Sequence, residues 1–341
     1  MPNSQSGFQN EARNSAGVAA IAIGRNEGDR LKACLASLEG NADPLVYVDS
    51  GSSDDSVAFA KSIGVDVVSL DMSVPFTAAR ARNAGFERIR ELAGPDGLPT
   101  YVQFVDGDCE VVTDWVAKAK EFLDANKEVA IVCGRRRERH PEASVFNRLC
   151  DIEWATPVGE AKSSGGDFLC RADAFDAVGG FNPALIAGEE PDLCFRLREQ
   201  GWKIWRLDAD MTLHDAAMTR LGQWWTRMKR AGFAYASGNA MHGRSPEKFW
   251  GREVLRAVLF GGVLPVAAVL GAILVHPASL ALLGVYPLQA ARTYVKLSDL
   301  GAGRLAYALS CTFGKIPEFA GVVSFWTKRV FGQRAELIEY K

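Results

Sequence analysis

The sequence predicts an α/β protein: a mostly parallel sheet flanked by helices, continued by a helical, membrane-associated C-terminal region. Three observations predict it. Short apolar runs alternate with helix-period stretches from Val18 to about residue 110. The runs end in polar turns at lengths that suit strands crossing over through helices, which gives parallel pairing. Ala257–Ala291 contains no Asp, Glu, Lys or Arg, which is longer than the ~20 residues that one helix needs to cross a bilayer.

In chain order, Val18–Ile23 is the first strand, interrupted by Gly24-Arg25-Asn26-Glu27. A helix follows with Leu31, Cys34, Leu35 and Leu38 on one face and Gly40 as its stop. Leu45–Val48 is the second strand and ends in Asp49-Ser50-Gly51-Ser52-Ser53-Asp54. Ser52 or Ser53 is expected to cap the next helix, which runs through Val57, Ala60 and Ile63 to Gly64. Val65–Leu70 is the third strand, and Thr77–Arg90 reads as a helix carrying Arg80, Arg82 and Asn83. Tyr101–Val105 is β-rich and apolar, as a buried central strand is. It breaks into Asp106-Gly107-Asp108, where the glycine lets the chain turn and the two carboxylates converge. Converging carboxylates repel, and a hard divalent ion with oxygen ligands, Mg²⁺ or Mn²⁺, relieves this when a substrate phosphate completes its shell. An isolated Asp-x-Asp is more often an acidic turn in solvent. In parallel sheets, however, ligands sit beyond the carboxyl ends of strands. Asn26, Asp49, Ser50, Asp106 and Asp108 all fall at such ends, so one crevice lined by them is expected.

The 341 residues carry a formal charge of −2 and a pI near 6.2, which gives no reason to expect nucleic acid as a partner. Seven cysteines form no Cys-x-x-Cys pair. Cys133, Cys170 and Cys194 lie in apolar runs and read as reduced core thiols of a cytosolic compartment. Residues 1–16 are polar and lack an apolar segment, so a flexible lead-in is expected there and not a signal peptide.

Six motifs occur in a recognisable order: Asn26-Glu27, Val-Asp-Ser-Gly-Ser-Ser-Asp (48–54), Ala-Arg-Asn (81–83), Val-Asp-Gly-Asp (105–108), Val-Gly-Gly-Phe-Asn (178–182) and Gly-Glu-Glu-Pro-Asp-Leu-Cys-Phe-Arg-Leu (188–197). Together, from about Val18 to Asp215, they resemble glycosyltransferase family 2 with the GT-A fold, of the membrane-associated bacterial type. The resemblance implies an inverting transfer of sugar from a nucleotide-diphosphate sugar donor to an acceptor hydroxyl. It implies Asp106, Asp108 and His214 as holders of Mg²⁺ or Mn²⁺, with Asp106 also reaching the ribose. Asn26, Glu27, Asp49, Ser50 and Arg82 then face the nucleotide sugar, and Glu190 is the general base with Glu189 and Asp192 as alternates. Gly166, Asp167 and Glu189 are expected at the acceptor, where glycine permits close approach to a sugar. From the residues alone, blander readings stand beside these. The acids of 189–192 suit the first turn of a helix, Arg82 suits a solvated helix face, and a lone histidine after a strand is often structural.

Beyond Asp215 the composition changes. Trp224 and Trp225 lie among Arg220, Arg227, Lys229 and Arg230, as in an interfacial helix on anionic lipid. His276-Pro277 divides the charge-free run, and Arg252, Arg256, Arg292 and Lys296 put positive charge on both flanks. That reads as a hairpin, transmembrane or re-entrant, with both flanks cytoplasmic. Leu305–Trp326 reads as a further surface-lying helix. The expected division is thus a flexible 1–16, a catalytic 17–216 (nucleotide half 17–110, acceptor half 111–216), an interfacial 217–250, a hairpin 251–298 and an amphipathic 299–341. The expected setting is the cytoplasmic face of the inner membrane, with a lipid-linked or glycan acceptor and membrane lipid as partners. The competing reading is a membrane-tethered nucleotide-binding scaffold without activity. A nucleotidylyltransferase would need Gly-Gly-x-Gly-Thr-Arg-Leu after the first strand, and Gly24-Arg25-Asn26-Glu27 is not that.

Overall fold

In a computed structural model of the chain, residues 17–301 and 303–333 are described. The lead-in expected at 1–16 and the end of the C-terminal segment, 334–341, lie outside the described residues. The order through the first half is β1 (Val18–Gly24), α1 (Asp29–Leu38), β2 (Leu45–Asp49), α2 (Ser56–Ser62), β3 (Asp66–Ser69), α3 (Ala78–Ala93), β4 (Tyr101–Asp106), β5 (Cys109–Val111), α4 (Trp115–Ala125) and β6 (Val129–Glu138). Then come α5 (Val145–Trp154), β7 (Gly159–Ala161), β8 (Phe168–Arg171), α6 (Ala172–Ala177), α7 (Glu189–Glu199) and β9 (Lys203–His214).

The strands form one sheet in the order β3-β2-β1-β4-β8-β6-β9-β5, with β7 beside β9. The first four are parallel, and Ile23 pairs with Asp106 while Gly24 pairs with Asp49, so the three polar strand ends share one edge. The second half is mixed: β8 is antiparallel to β4 and β6, β9 is parallel to β6, and β5 turns back antiparallel to β9. The strand β9 runs for twelve residues. Its pairing with β6 slips at three places, so no single apolar alternation marks its length. Gln103, in the middle of β4, is fully buried and accepts from Trp115 Nε1 at 2.9 Å, which satisfies a polar group that the core would otherwise exclude. Thr77 Oγ1 caps α3 by accepting from Arg80 N at 3.1 Å. Neither Ser52 nor Ser53 caps α2. That helix starts at Ser56, whose amide donates to Asp54 Oδ1, and both serines instead bond to Asn26. All seven cysteines are free thiols and six are buried.

The chain divides into two compact units. The first holds residues up to Arg139 together with 154–184 and 189–215; the second holds 140–153, 185–188 and everything from Ala216. Two inserts from within the expected catalytic stretch thus fold with the C-terminal helices. Those helices are α8 (Leu221–His242), α9 (Gly251–Leu274), a 3-10 segment at Pro277–Gly284, α10 (Val285–Lys296), α11 (Arg304–Phe313) and α12 (Lys315–Val330). The surface-lying helix expected over 305–326 is two helices, and the expectation is corrected for the second, α12. A Cβ on Gly232 of α8 would sit 1.9 Å from Glu318 O of α12, and one on Gly261 of α9 would sit 1.9 Å from Lys315 O. Glycine removes the side chain that would hold these backbones apart, so α12 is packed between other helices. The interfacial reading of α8 is split: Trp224 is buried with its Nε1 donating to Ser310 Oγ at 3.0 Å, while Trp225 is 42% exposed.

The charge-free stretch folds back on itself. Helix α9 has 24 residues with a mean hydropathy of 2.4, long and apolar enough to cross a membrane, and contains a π-helical section at Ala257–Val263. Gly271 lets Ser279 of the returning arm approach, and the Tyr286 hydroxyl donates to Phe260 O. Ile273, Leu274 and Val275 at the tip are 72–83% exposed.

Candidate active site

The polar ends of β1, β2 and β4 bring the predicted residues to one edge of the first unit, and their side chains have definite partners. Asn26, at φ +55°, accepts from Ser53 N through Oδ1 at 2.7 Å, while its own amide donates to Ser52 Oγ at 2.9 Å. Asp49 is buried and accepts from Gly51 N, Ser52 N and the Tyr47 hydroxyl. Ser50 is buried, with its amide on Gly24 O, and Glu27 pairs with Arg30 at 2.8 Å. These four therefore act first on their own loops, fixing the two turns against each other.

Asp106 and Asp108 are held by different partners. Asp106 Oδ1 accepts from Arg82 Nη2 at 2.7 Å and its Oδ2 from Arg136 Nη2 at 3.3 Å. Asp108 Oδ2 lies 3.1 Å from His214 Nε2, brought there by the pairing of Cys109 in β5 with His214 in β9. The carboxylate repulsion at the strand end is thus relieved at Asp106 by two guanidinium groups. Among the described residues, candidate metal-holding atoms fall into two groups, one around Asp108 and His214 and one around Asp106 and Asp167, with Cys109 in both. Burial pushes the Cys109 thiol well above its ordinary value, so it stays protonated and is a poor metal ligand. Burial, reinforced by the Arg136 charge, pushes His214 down to about 4, so its imidazole is neutral. A neutral imidazole beside a carboxylate is a donor pair that suits Mn²⁺ or a similar ion. Asp108 and His214 therefore fit a divalent cation.

Arg82 is the hub, and the solvated-helix reading of it is wrong. It is 2% exposed, and its Nη1 reaches Glu190 Oε1 at 3.0 Å and Glu189 Oε1 at 3.4 Å, while Nη2 holds Asp106. Gly166 makes room for this, since a Cβ there would lie 2.6 Å from Arg82 Nη2 and 2.7 Å from Asp106 Oδ2. Burial alone would raise the Asp106 carboxyl, but Arg82 and Arg136 outweigh it and hold the group well below the usual range. Burial and the neighbouring Glu189 charge push Glu190 the other way, to about 7, against the opposing pull of Arg82. Two buried atoms of the cluster, Arg82 Nε and Glu189 Oε2, have no hydrogen-bond partner among the described residues. Such orphans usually cost about 1–3 kcal/mol each, and a bound ligand would satisfy them.

Two expectations change. Asp167 was expected at the acceptor, but it is fully buried and its oxygens accept from Asp106 N, Thr212 Oγ1 and Arg136. It braces the site from behind. Asp192, an alternate base, is bonded to Arg196, which also donates to Val178 O and Gly180 O. Arg80 binds the carbonyls of Asp71 and Val74 in its own loop. Arg136 is the residue that sequence reading missed. Its signal was Arg135-Arg136-Arg137, one glycine after the apolar run Val129–Cys133, which places charge at a strand end. Its guanidinium also stacks over Trp154, 5.6 Å from the ring centroid.

Residues 21–161 match the sequence profile of Glycosyl transferase family 2. That stretch belongs to glycosyltransferase family 2. The family 2 stretch holds Asn26, Asp49, Arg82, Asp106 and Asp108, while Glu190 and His214 lie beyond it. Among curated relatives, the succinoglycan biosynthesis protein ExoA of Rhizobium meliloti (strain 1021) is 26% identical over 196 residues, covering 54% of this chain and 58% of its own length. The pre-mycofactocin glycosyltransferase of Mycobacterium tuberculosis is 27% identical over 241 residues, covering 66% and 47%. The chain thus spans about half the length of the curated relatives it matches. Among solved structures, the mannosyltransferase PcManGT from Pyrobaculum calidifontis, in complex with GDP-Man and Mn²⁺, aligns with a TM-score of 0.61 at 16% identity, covering 92% of this chain and 87% of that one. The shared architecture is the GT-A fold.

Proposed function

We propose that the chain transfers a sugar from a nucleotide-diphosphate sugar to a hydroxyl of a membrane-associated acceptor, lipid-linked or polysaccharide, with inversion at the anomeric carbon. The observation that carries this is the Arg82 bridge, which ties the strand-end acid Asp106 to a carboxylate, Glu190, held near pH 7. A base works best when its pKa lies near the working pH. Glu190 is partly open to solvent, with 16% of its side chain exposed, while Glu189 behind it is 4% exposed. Glu190 therefore takes the proton from the attacking hydroxyl. Arg82 and Arg136 set two fixed positive charges at Asp106, where a diphosphate needs neutralising, and guanidinium forks match phosphate oxygens. Asp108 and His214 would hold Mg²⁺ or Mn²⁺, which supplies Lewis-acid stabilisation of the leaving diphosphate. Asp167, Thr212 and Gly166 keep Arg136, Asp106 and Arg82 in register. PcManGT was solved with a nucleotide sugar and Mn²⁺ on the same fold, which supports this reading of donor and ion.

Membrane association rests on the apolar hairpin. Its α9 arm exposes Leu259, Val263, Val266, Val269, Leu270, Ile273 and Leu274 by 41–75%, a larger apolar surface than a soluble monomer usually shows. Basic residues on both flanks favour the cytoplasmic face. The test is a panel of nucleotide-diphosphate sugars incubated with the full chain, with and without EDTA followed by added Mn²⁺. Metal-restored release of one nucleoside diphosphate is expected. Binding of nucleotide with no turnover of any donor would favour the scaffold reading.

A further inference from the structure

Trp250 is strained and tightly used, yet it lies far along the chain from every motif of the site. It adopts φ +54°, a left-handed conformation that a bulky residue rarely holds without compensation, and Lys248 beside it has φ +51°. The turn is fixed by Lys248 N on Ser245 O, Gly251 N on Lys248 O and Asn239 Nδ2 on Phe249 O, each at 2.8–2.9 Å. The Trp250 ring sits edge-on to Tyr235, with centroids 5.2 Å apart, and against Phe249 at 4.6 Å. Two glycines make room for it. A Cβ on Gly238 would lie 2.5 Å from its Cε3, and one on Gly188 would lie 3.0 Å from its Cη2 and 3.2 Å from Ala234 Cβ. Gly188 itself has φ +83°. It ends a buried segment, Leu185-Ile186-Ala187, that folds with the C-terminal unit, and its next residue is Glu189, the first of α7.

We infer that Trp250 is a positioning residue for transfer: by packing on Gly188 it fixes the backbone from which Glu189 and Glu190 enter α7. This rests on the reading of Glu190 as the base. Trp250 also starts the apolar helix, because its backbone carbonyl accepts from Val254 N in the first turn of α9. A base must be held within a fraction of an ångström of its working place, and a misplacement of about 1 Å costs on the order of 100-fold. A residue that merely filled the core would lower folded fraction and activity together.

The test uses the full chain in detergent or vesicles and compares wild type, Trp250→Ala, Trp250→Phe and Gly188→Ala. For Trp250→Ala, kcat falls on the order of 10- to 100-fold, the donor KM stays within about twofold, the acid limb of the kcat–pH profile moves, and amide exchange across 185–190 quickens. Trp250→Phe, which keeps a ring, restores most of kcat. Gly188→Ala changes the other side of the same contact and carries the test if Trp250→Ala does not fold; the same signature is expected. Wild-type kcat in either variant, or a kcat loss that matches the loss of folded protein with exchange at 185–190 unchanged, overturns the inference. If the wild type turns over no donor, the proposed function fails instead, and the exchange comparison still decides whether Trp250 holds this segment.

Discussion

Replacing Glu190 with Gln should abolish transfer and, at alkaline pH, make the protein more stable. The sign follows from the direction of the Glu190 shift. A carboxyl raised in the folded state from its ordinary 4.5 to about 7 favours folding while protonated, and that contribution is lost as pH rises through 7. Between pH 5.5 and 8.5 those two values imply a loss of about 2 kcal/mol in the wild type, which an amide, having no charge to bury, does not suffer. The glutamine can still accept from Arg82, so the bridge to Asp106 is not broken by the change. The assay is denaturant unfolding of ligand-free wild type and Glu190→Gln at both pH values. The stability difference should widen in favour of the variant by about 2 kcal/mol on going to pH 8.5. A pH-independent difference, or one that widens in favour of the wild type, would mean that Glu190 is not held protonated by its surroundings, and its assignment as a tuned base would fall.

Turnover should follow the ionised fraction of Glu190, so kcat/KM declines about tenfold per unit below pH 7; a rate flat from pH 5 to 8 contradicts this. Gly166→Ala should cut kcat on the order of 100-fold with circular dichroism unchanged, because its methyl meets Arg82 and Asp106 at under 3 Å. Near-wild-type kcat would show that the Arg82 bridge is dispensable. For the ion, His214→Ala should weaken Mn²⁺ binding to the ligand-free protein by on the order of tenfold or more in a calorimetric titration, and unchanged affinity would remove His214 as a ligand.

The half of the sheet from Val18 to Asp106 was legible because parallel central strands are short uninterrupted apolar runs, and their polar ends mark the ligand edge. The second half was not. β7 and β5 have three residues each, and β9 is read through bulges that destroy its alternation. The site was legible as a set of acids but not as a set of pairs. A doublet of carboxylates at a strand end announces that some cation is near; it does not say that Arg82, 24 residues before, and Arg136, 30 residues after, will supply it to Asp106. Asp167 was misread for the same reason, since its partners come from β4, β6 and β9 and no local spacing links them. Glu190 was found through the motif at 188–197. Its raised pKa comes from burial beside Glu189, which only the folded chain reveals.

The most direct trial is a single-turnover experiment at pH 8 with whichever donor the panel identifies, run on wild type and Glu190→Gln side by side with donor affinity measured in each. Equal donor affinity with transfer lost only in the variant is the predicted outcome. Transfer by Glu190→Gln at the wild-type rate would contradict it.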